Sequence, residues 1–387
     1  MKKVSANYIF PGNSTPIKNG VIVLDDNGLI ITVLNPETDD IDWREVEKHE
    51  GIICPGFVNT HCHLELSYLK GKLSERSQLP NFVKEIISVR DDFTNEERES
   101  AIVAAENEMI INGIVAVGDI SNGNSTFNQK ESSKIKYHTF LEVFSLNPKV
   151  AEEVIERTKS LKKEYYCQNR ISITAHAPYS LSKNLMNAVN KVAGNILTIH
   201  NQETESENEL FLSKSGNLYN QLASFNENIK EWIPTGKNSL PSYLSNYDSS
   251  KKILLVHNTY TNKEDLTFAK SHSDNIYWCF CPNANEYIER TQPNYNLFLN
   301  ENCTIGTDSL ASNWSLSILD ELKTISKKDS SIPLETLVKW ATFNGAAFLE
   351  FEKLGSLEKG KSPGLNLIMN LDLDNLSLTE SSSVKPL

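Results

Sequence analysis

From about residue 51 to residue 354 the chain alternates short apolar runs with longer segments of helical periodicity, and nothing else in it restricts the fold as strongly. Eight runs have strand character: 52–60, 114–119, 135–144, 171–176, 196–200, 253–257, 276–281 and 303–308. The segments between them are long enough for a crossover helix, which is what parallel neighbours in a sheet require. Eight βα units are the number that closes a barrel, so the pattern predicts an α/β fold, a (β/α)8 TIM barrel, over residues 51–354. Helical periodicity is clearest over 97–112, 184–193 and 333–349, the last followed by a Leu354-Gly355 stop.

The flanks differ in pattern. Gly20–Leu24 and Gly28–Val33 are short β-prone runs around the turn residues Asp25-Asp26-Asn27, which predicts a hairpin, and Pro363–Leu371 repeats the β flavour near the carboxyl end. The simplest packing joins residues 1–50 and 355–387 in a small β-sandwich domain beside the barrel domain, with the Ser-rich residues 377–387 frayed. Residues 201–250 form a long polar insertion placed to cover the barrel mouth.

Composition removes several function classes. A formal net charge of −12 leaves no basic stripe to neutralise a phosphate backbone, so nucleic acid is not expected as a partner. No run approaches the roughly 18 apolar residues that span a bilayer, so no membrane role is expected. The six cysteines lack Cys-x-x-Cys spacing and sit mostly in apolar runs, which reads as buried thiols in a reducing compartment and a cytoplasmic protein. A homodimer is the default expectation for the assembly.

Chemistry concentrates at the ends of the strand runs. The first ends in Asn59-Thr60-His61-Cys62-His63, and a His-x-His pair on a strand sends two imidazoles to one face. Alone, such a pair is more often a strand cap and a core histidine than a metal site. Four other runs, however, end in Ala175-His176-Ala177-Pro178, His200-Asn201-Gln202-Glu203, His257-Asn258 and Gly306-Thr307-Asp308. In a parallel barrel the carboxyl ends converge, so five of the eight histidines and two carboxylates meet in one place, while His49, His138 and His272 lie elsewhere and read as structural or surface residues. Imidazole and carboxylate donors of this kind suit zinc.

The order His-x-His, His, His, Asp after Pro-Gly-Phe-Val-Asn-Thr, together with His176-Ala-Pro-Tyr-Ser, resembles the amidohydrolase superfamily, and within it the mononuclear deaminase and chlorohydrolase branch. That branch includes aminodeoxyfutalosine, S-adenosylhomocysteine, guanine and cytosine deaminases. The resemblance implies His61, His63, His200 and Asp308 as ligands of one Zn2+, with Fe2+ as the other candidate. It implies one metal because Ile173-Thr174-Ala175 offers no lysine for a bridge. It further implies Glu203, His257 and Asp308 as catalytic groups, with Glu203 moving protons between water and a ring nitrogen, and His176, Glu85 and Asn285 as substrate contacts. Glu205, Glu207 and Glu209, which follow in the same acidic run, lack the family spacing and read as solvated. Two departures are visible: Cys281-Pro282-Asn283-Ala284-Asn285 has Ala284 where the branch often has serine, and Leu365-Asn366-Leu367 replaces acidic residues that commonly follow Gly360–Gly364.

The implied function is a hydrolytic deaminase of a small heterocycle: an aminated purine-like nucleoside or related N-heterocycle, aminodeoxyfutalosine among them, attacked by water ionised at zinc with release of ammonia. The alternatives are ring opening of a cyclic amide, as in imidazolonepropionases, and a barrel that serves as a non-catalytic scaffold. Polynucleotide deaminases of the Pro-Cys-x-x-Cys type are set aside because that metal motif is missing.

Overall fold

The computed structural model describes residues Met1–Leu387. Eight parallel strands organise it: β1 (Phe57–Cys62), β2 (Ile114–Ser121), β3 (Lys136–Val143), β4 (Ile171–Ala175), β5 (Ile196–Asn201), β6 (Lys252–His257), β7 (Ile276–Phe280) and β8 (Asn302–Ile305). They form two four-stranded sheets, β1 to β4 and β5 to β8, each with neighbours in chain order. The result is a mixed α/β protein with parallel sheets. Where the sheets meet, the His200 N–H donates to the His176 carbonyl (3.0 Å), and the Thr307 and Asp308 N–H groups both donate to the His61 carbonyl (3.0 Å each).

Alternation along the strands separates two apolar layers. Val58, Ala116, Ile120, Phe140, Leu254, Val256 and Cys279 share one cluster, closed off by Ala346, Phe348 and Leu349. The opposite faces (Val117, Tyr137, Ile173, Leu197, Ile199, Leu255, Trp278, Phe280) pack on helices through residues such as Met109, Leu185, Val189, Leu322 and Leu337. The helix Asn95–Ile111 begins with a capping box, Thr94 accepting from the Glu97 N–H and Glu97 reaching back to Thr94. The expected helix over 333–349 is two, Leu334–Ala341 and Phe343–Phe348, broken where Thr342 leaves helical geometry (φ −133°, ψ −81°).

The first strand run also divides. Ile52–Pro55 pairs antiparallel with Leu365–Met369 and parallel with Tyr8–Ile9, while Phe57–Cys62 enters the parallel sheet. Gly56 is the pivot: its N–H reaches the Pro363 and Gly364 carbonyls (3.2 Å), and a Cβ there would lie 2.4 Å from Val115 and 2.7 Å from the Pro363 oxygen. The first part of the expected run 52–60 thus pairs with the terminal segments and the second with the parallel strands.

Two sheets hold these segments. One contains Lys2–Ser5, Val21–Leu24, Ile30–Leu34 and Glu47–Lys48, including the expected hairpin between Val21–Leu24 and Ile30–Leu34; the other contains Tyr8–Ile9, Ile17–Lys18, Ile52–Pro55, Leu365–Met369 and Ser383–Pro386. Val4, Ile9, Ile22, Ile30, Ile53, Leu365 and Leu367 form one cluster between them. The carboxyl end is not frayed: Ser383–Pro386 pairs with Asn366–Met369, and Val384 packs on the main core. Sequence reading missed this because serine-rich composition carries no β signal, whereas an open edge beside Leu365–Met369 supplies the ladder partners.

The insertion after β5 carries the helices Glu205–Ser213, Gly216–Phe225 and Ser239–Tyr243. Leu210, Phe211, Leu218 and Leu222 from it join Leu79, Phe82, Tyr179, Tyr287 and Ala311 in a separate apolar cluster built from segments that follow β1, β4, β5, β7 and β8. All six cysteines are free, and five are buried. No helix is long and apolar enough to cross a membrane.

Candidate active site

The carboxyl end of β1 sets the site. The register with β2 shifts between Asn59 and Cys62, so Thr60 still faces β8, with its hydroxyl on Thr304 (2.8 Å) and the Ile305 carbonyl (3.0 Å), while His61 also turns to that side. Gly306 makes this approach possible, since a Cβ would come within 2.8 Å of the His61 Cβ. The chain beyond His63 is held by Asp119, which accepts from the Leu64 N–H (2.8 Å) and is paired with Lys130 at 2.6 Å, both fully buried.

His61 and His63 bring their Nε2 atoms to 3.2 Å, and Asp308 Oδ1 lies 3.5 Å from the first and 3.4 Å from the second. His200 completes the group with a ring nitrogen within 4.8 Å of those of His61 and His63. These four expected ligands thus converge. A tetrahedral site with bonds of about 2.0–2.1 Å has edges of about 3.3 Å, which the separations of 3.2, 3.4 and 3.5 Å among His61, His63 and Asp308 match. The donor spacing fits a divalent metal. His200 Nδ1–H donates to the His176 carbonyl (2.7 Å), which leaves its Nε2 lone pair free to ligate. Ser312 Oγ–H donates to Asp308 Oδ2 (2.6 Å), leaving Oδ1 toward the histidines.

Burial keeps His63, His176, His200 and His257 in the neutral form. It lowers His63 to about 3 and His176 and His257 to about 4, and it depresses His200 as well, with the neighbouring imidazoles adding to the effect. For Asp308 burial opposes ionisation, but the His61 hydrogen bond and the surrounding imidazoles outweigh it and hold its carboxyl below the usual range.

Glu203 is buried with Oε1 3.7 Å from His257 Nε2. Burial first, then the negative charges of Asp308, Glu289 and Glu207, push its carboxyl well above the ordinary range. The Nδ1–H of His257 donates to Asn285 Oδ1 (2.9 Å), so its unprotonated Nε2 faces Glu203. Backbone strain gathers at these positions, with left-handed φ at Gln202 (47°), His257 (75°), Asn258 (57°) and Asp308 (56°). Each such residue costs about 1–3 kcal/mol, somewhat less for Asn and Asp, and the strain persists because the surrounding packing enforces it.

The other expected contacts separate. His176 is half-buried, its ring 4.8 Å from that of His200, with Nδ1 on Ser180 Oγ (2.9 Å). Asn285 touches His257 and leaves its buried Nδ2 without a partner. Glu85 stands on the helix Leu79–Val89 with Oε2 engaged by the Ser74 N–H (2.7 Å), apart from the imidazole cluster. Glu207 is not solvated: it is fully buried, and its Oε1 accepts from the Gln202 N–H (3.0 Å) because the helix starting at Glu205 turns it back onto the end of β5. His138 is buried on Ser172 Oγ (2.9 Å), away from the cluster.

One group escaped sequence reading. Glu142, near the end of β3, lies within 4.8 Å of ring nitrogens of both His176 and His200. Asn122 donates to its Oε1 (2.8 Å) and also to Glu65 (2.8 Å), and burial raises both carboxyls to about 7. The available signal was a single charge inside the apolar run Phe140-Leu141-Glu142-Val143.

The amidohydrolase family model matches residues 52–381, which span every strand that supplies the site. The chain belongs to the amidohydrolase family. An aminodeoxyfutalosine deaminase of a Nitratiruptor species is 26% identical over 336 residues, covering 84% of this chain and 80% of that protein. Among solved structures, an aminofutalosine deaminase of Helicobacter pylori in complex with methylthio-coformycin superposes with a TM-score of 0.79 at 21% identity, covering 98% of this chain and 94% of that one. An adenosine deaminase of Xanthomonas campestris with bound zinc superposes with a TM-score of 0.71 at 19% identity, over 98% and 86% of the two chains. The two structural likenesses carry the fold, and the family places this amidohydrolase among hydrolases.

Proposed function

We propose that this amidohydrolase is a mononuclear zinc deaminase that replaces an exocyclic amino group of an aminated purine nucleoside or related heterocycle by oxygen and releases ammonia. The observation that carries the reading is the convergence of His61, His63 and Asp308 at 3.2–3.5 Å from one another, with a His200 ring nitrogen within 4.8 Å of the two histidines and Glu203 against His257. Iron(II) is the other metal this donor set suits. The fold that supports this chemistry is a closed (β/α)8 barrel of residues 56–354, its seams carrying the His200-to-His176 and Asp308-to-His61 backbone bonds, with a β-sandwich formed by both termini. Six free thiols agree with a cytoplasmic setting.

The bound cation supplies Lewis acidity, which brings the ionisation of water close to neutral pH. Glu203 takes the proton released by that water and delivers it to the ring nitrogen beside the attacked carbon, for which a raised carboxyl pKa is suited. His257, neutral and oriented by Asn285, accepts a hydrogen bond at Nε2 from the attacking group. Asp308 carries the second proton to the departing amine, so ammonia leaves as the carbonyl forms. His176 and Asn285 contact the heterocycle. Glu85, on a helix of the apolar cap, reaches the ribose side once Ser74 moves.

The test is ammonia release by metal-loaded protein from adenosine, S-adenosylhomocysteine, guanine, cytosine and aminodeoxyfutalosine. Turnover of at least one purine nucleoside is expected; no ammonia from any of them, with metal bound, sinks the reading.

A further inference from the structure

Behind β8, the helix Ile318–Lys328 packs on the short helix Pro282–Ile288 that follows β7, and it carries one fully buried carboxylate, Glu321. Both oxygens of Glu321 accept from amides in the two loops that bring residues to the site. Oε2 accepts from the Asn283 N–H (2.8 Å), in the first turn of Pro282–Ile288, where the helix itself offers no acceptor. Oε1 accepts from Asn313 Nδ2 (2.7 Å), in the loop after β8.

Each donor reaches the site in one further step. Asn285 lies two residues beyond Asn283 on the same short helix, and its Oδ1 accepts from His257 Nδ1–H (2.9 Å). Asn313 Nδ2 also donates to the Thr307 carbonyl (2.7 Å), the oxygen of the peptide that leads into Asp308. The N–H of that peptide is held from the other side by the His61 carbonyl (3.0 Å). Both ends of one peptide plane are thus fixed, which sustains the left-handed φ of Asp308 (56°). Asn313 is oriented in turn by the Ser315 N–H on its Oδ1 (3.2 Å). A buried carboxylate is costly, and attachment of the helix does not require one, since Leu319, Leu322 and Ile325 already fasten it to the main apolar core.

We propose that Glu321 is a positioning residue for the reaction: through Asn313 it holds the peptide that aims Asp308, and through Asn283 it holds the turn whose Asn285 aims His257. One side chain remote from the substrate thereby sets Asp308 and the imidazole beside Glu203 relative to each other. The inference rests on the deaminase reading and adds to it a residue that governs turnover and metal affinity rather than substrate binding.

The experiment compares wild-type protein with Glu321→Gln, Asn313→Ala and Leu322→Ala, all at a temperature where circular dichroism shows each to be folded. Glu321→Gln keeps the shape but turns one acceptor into a donor that faces an N–H. It is expected to lower kcat at least tenfold with KM within threefold, and to weaken zinc affinity at least tenfold in competition with a chelator. Asn313→Ala should reproduce the loss of zinc affinity. Leu322→Ala cuts into the apolar attachment of the same helix without touching either amide, so it should lower Tm yet keep kcat and zinc affinity within threefold. Smaller losses in Glu321→Gln, or equal losses in Leu322→Ala, overturn the inference and leave the deaminase reading intact. Should Glu321→Gln fail to fold, Asn313→Ala decides by the same thresholds. Ammonia from no nucleoside with metal-loaded wild type overturns the deaminase reading, while the chelator competition, which needs no substrate, still decides whether Glu321 positions Asp308.

Discussion

The two sides of the mouth use the same residue types differently. On the side of β1, β5, β6 and β8, the polar groups converge at close range: His61 and His63 at 3.2 Å, Asp308 within 3.5 Å of both, and Glu203 near His257. On the side of β2, β3 and β4, His176 is tied to Ser180 and Glu142 to Asn122, and Glu142 keeps Oε2 without a partner. A side whose donors converge on a point serves a cation; one whose acceptors await a donor serves a substrate. The first should fail all at once when altered, the second by degrees.

The sharpest way to break this contrast is on the first side. His61→Ala or Asp308→Ala is expected to lose the metal, by elemental analysis, and to lower kcat/KM by about 10³-fold or more, as removal of an electrostatic catalyst does. Retained metal with full turnover would dissolve the distinction. Glu203→Gln is expected to keep the metal and lose about 10²–10⁴-fold in kcat, the usual range for a proton-transfer group.

Beneath the first side, Asp119→Asn leaves Lys130 buried without its partner. Breaking such a pair costs about 3–5 kcal/mol, and denaturant titration should show it, while the Leu64 N–H keeps an oxygen acceptor in the amide. Ser312→Ala removes only the donor that orients Asp308 and should weaken metal affinity about 10–100-fold, read by competition with a chelator.

The smallest effect concerns pH. Burial lowers His138 to about 3 in the folded protein, against about 6.5 for an unperturbed histidine. The unfolded chain therefore binds more protons between those values, and this stabilisation, complete above about pH 6.5, is lost as the pH falls toward 3. His138→Gln should lose less Tm than the wild type between pH 6.5 and 4. Parallel curves would mean that His138 is not held neutral by its surroundings.

Much of this is legible in the chain itself. Eight strand runs, their polar ends and the spacing from His200 to Glu203 are visible there because strand periodicity and metal ligation are local patterns. Glu142, Asp119 and Lys130 are not, because each gains meaning from a partner far along the chain: Asn122 for Glu142, and the Leu64 N–H for Asp119. Glu207 was misjudged for the same reason, since charge density predicts solvation until a helix start turns the carboxylate onto the strand end.

By itself the sequence determined that the chain alternates strand with helix and carries imidazoles and carboxylates where the strands stop, since side-chain period and residue chemistry are properties of the chain. Tertiary structure alone decided that Gly56 divides the first run between two sheets, that Gly306 lets β8 lie against His61, and that one oxygen of Glu142 is left facing the site. Those outcomes depend on distances between segments remote in sequence, which are set only when the packed whole leaves each buried polar atom a partner or an opening.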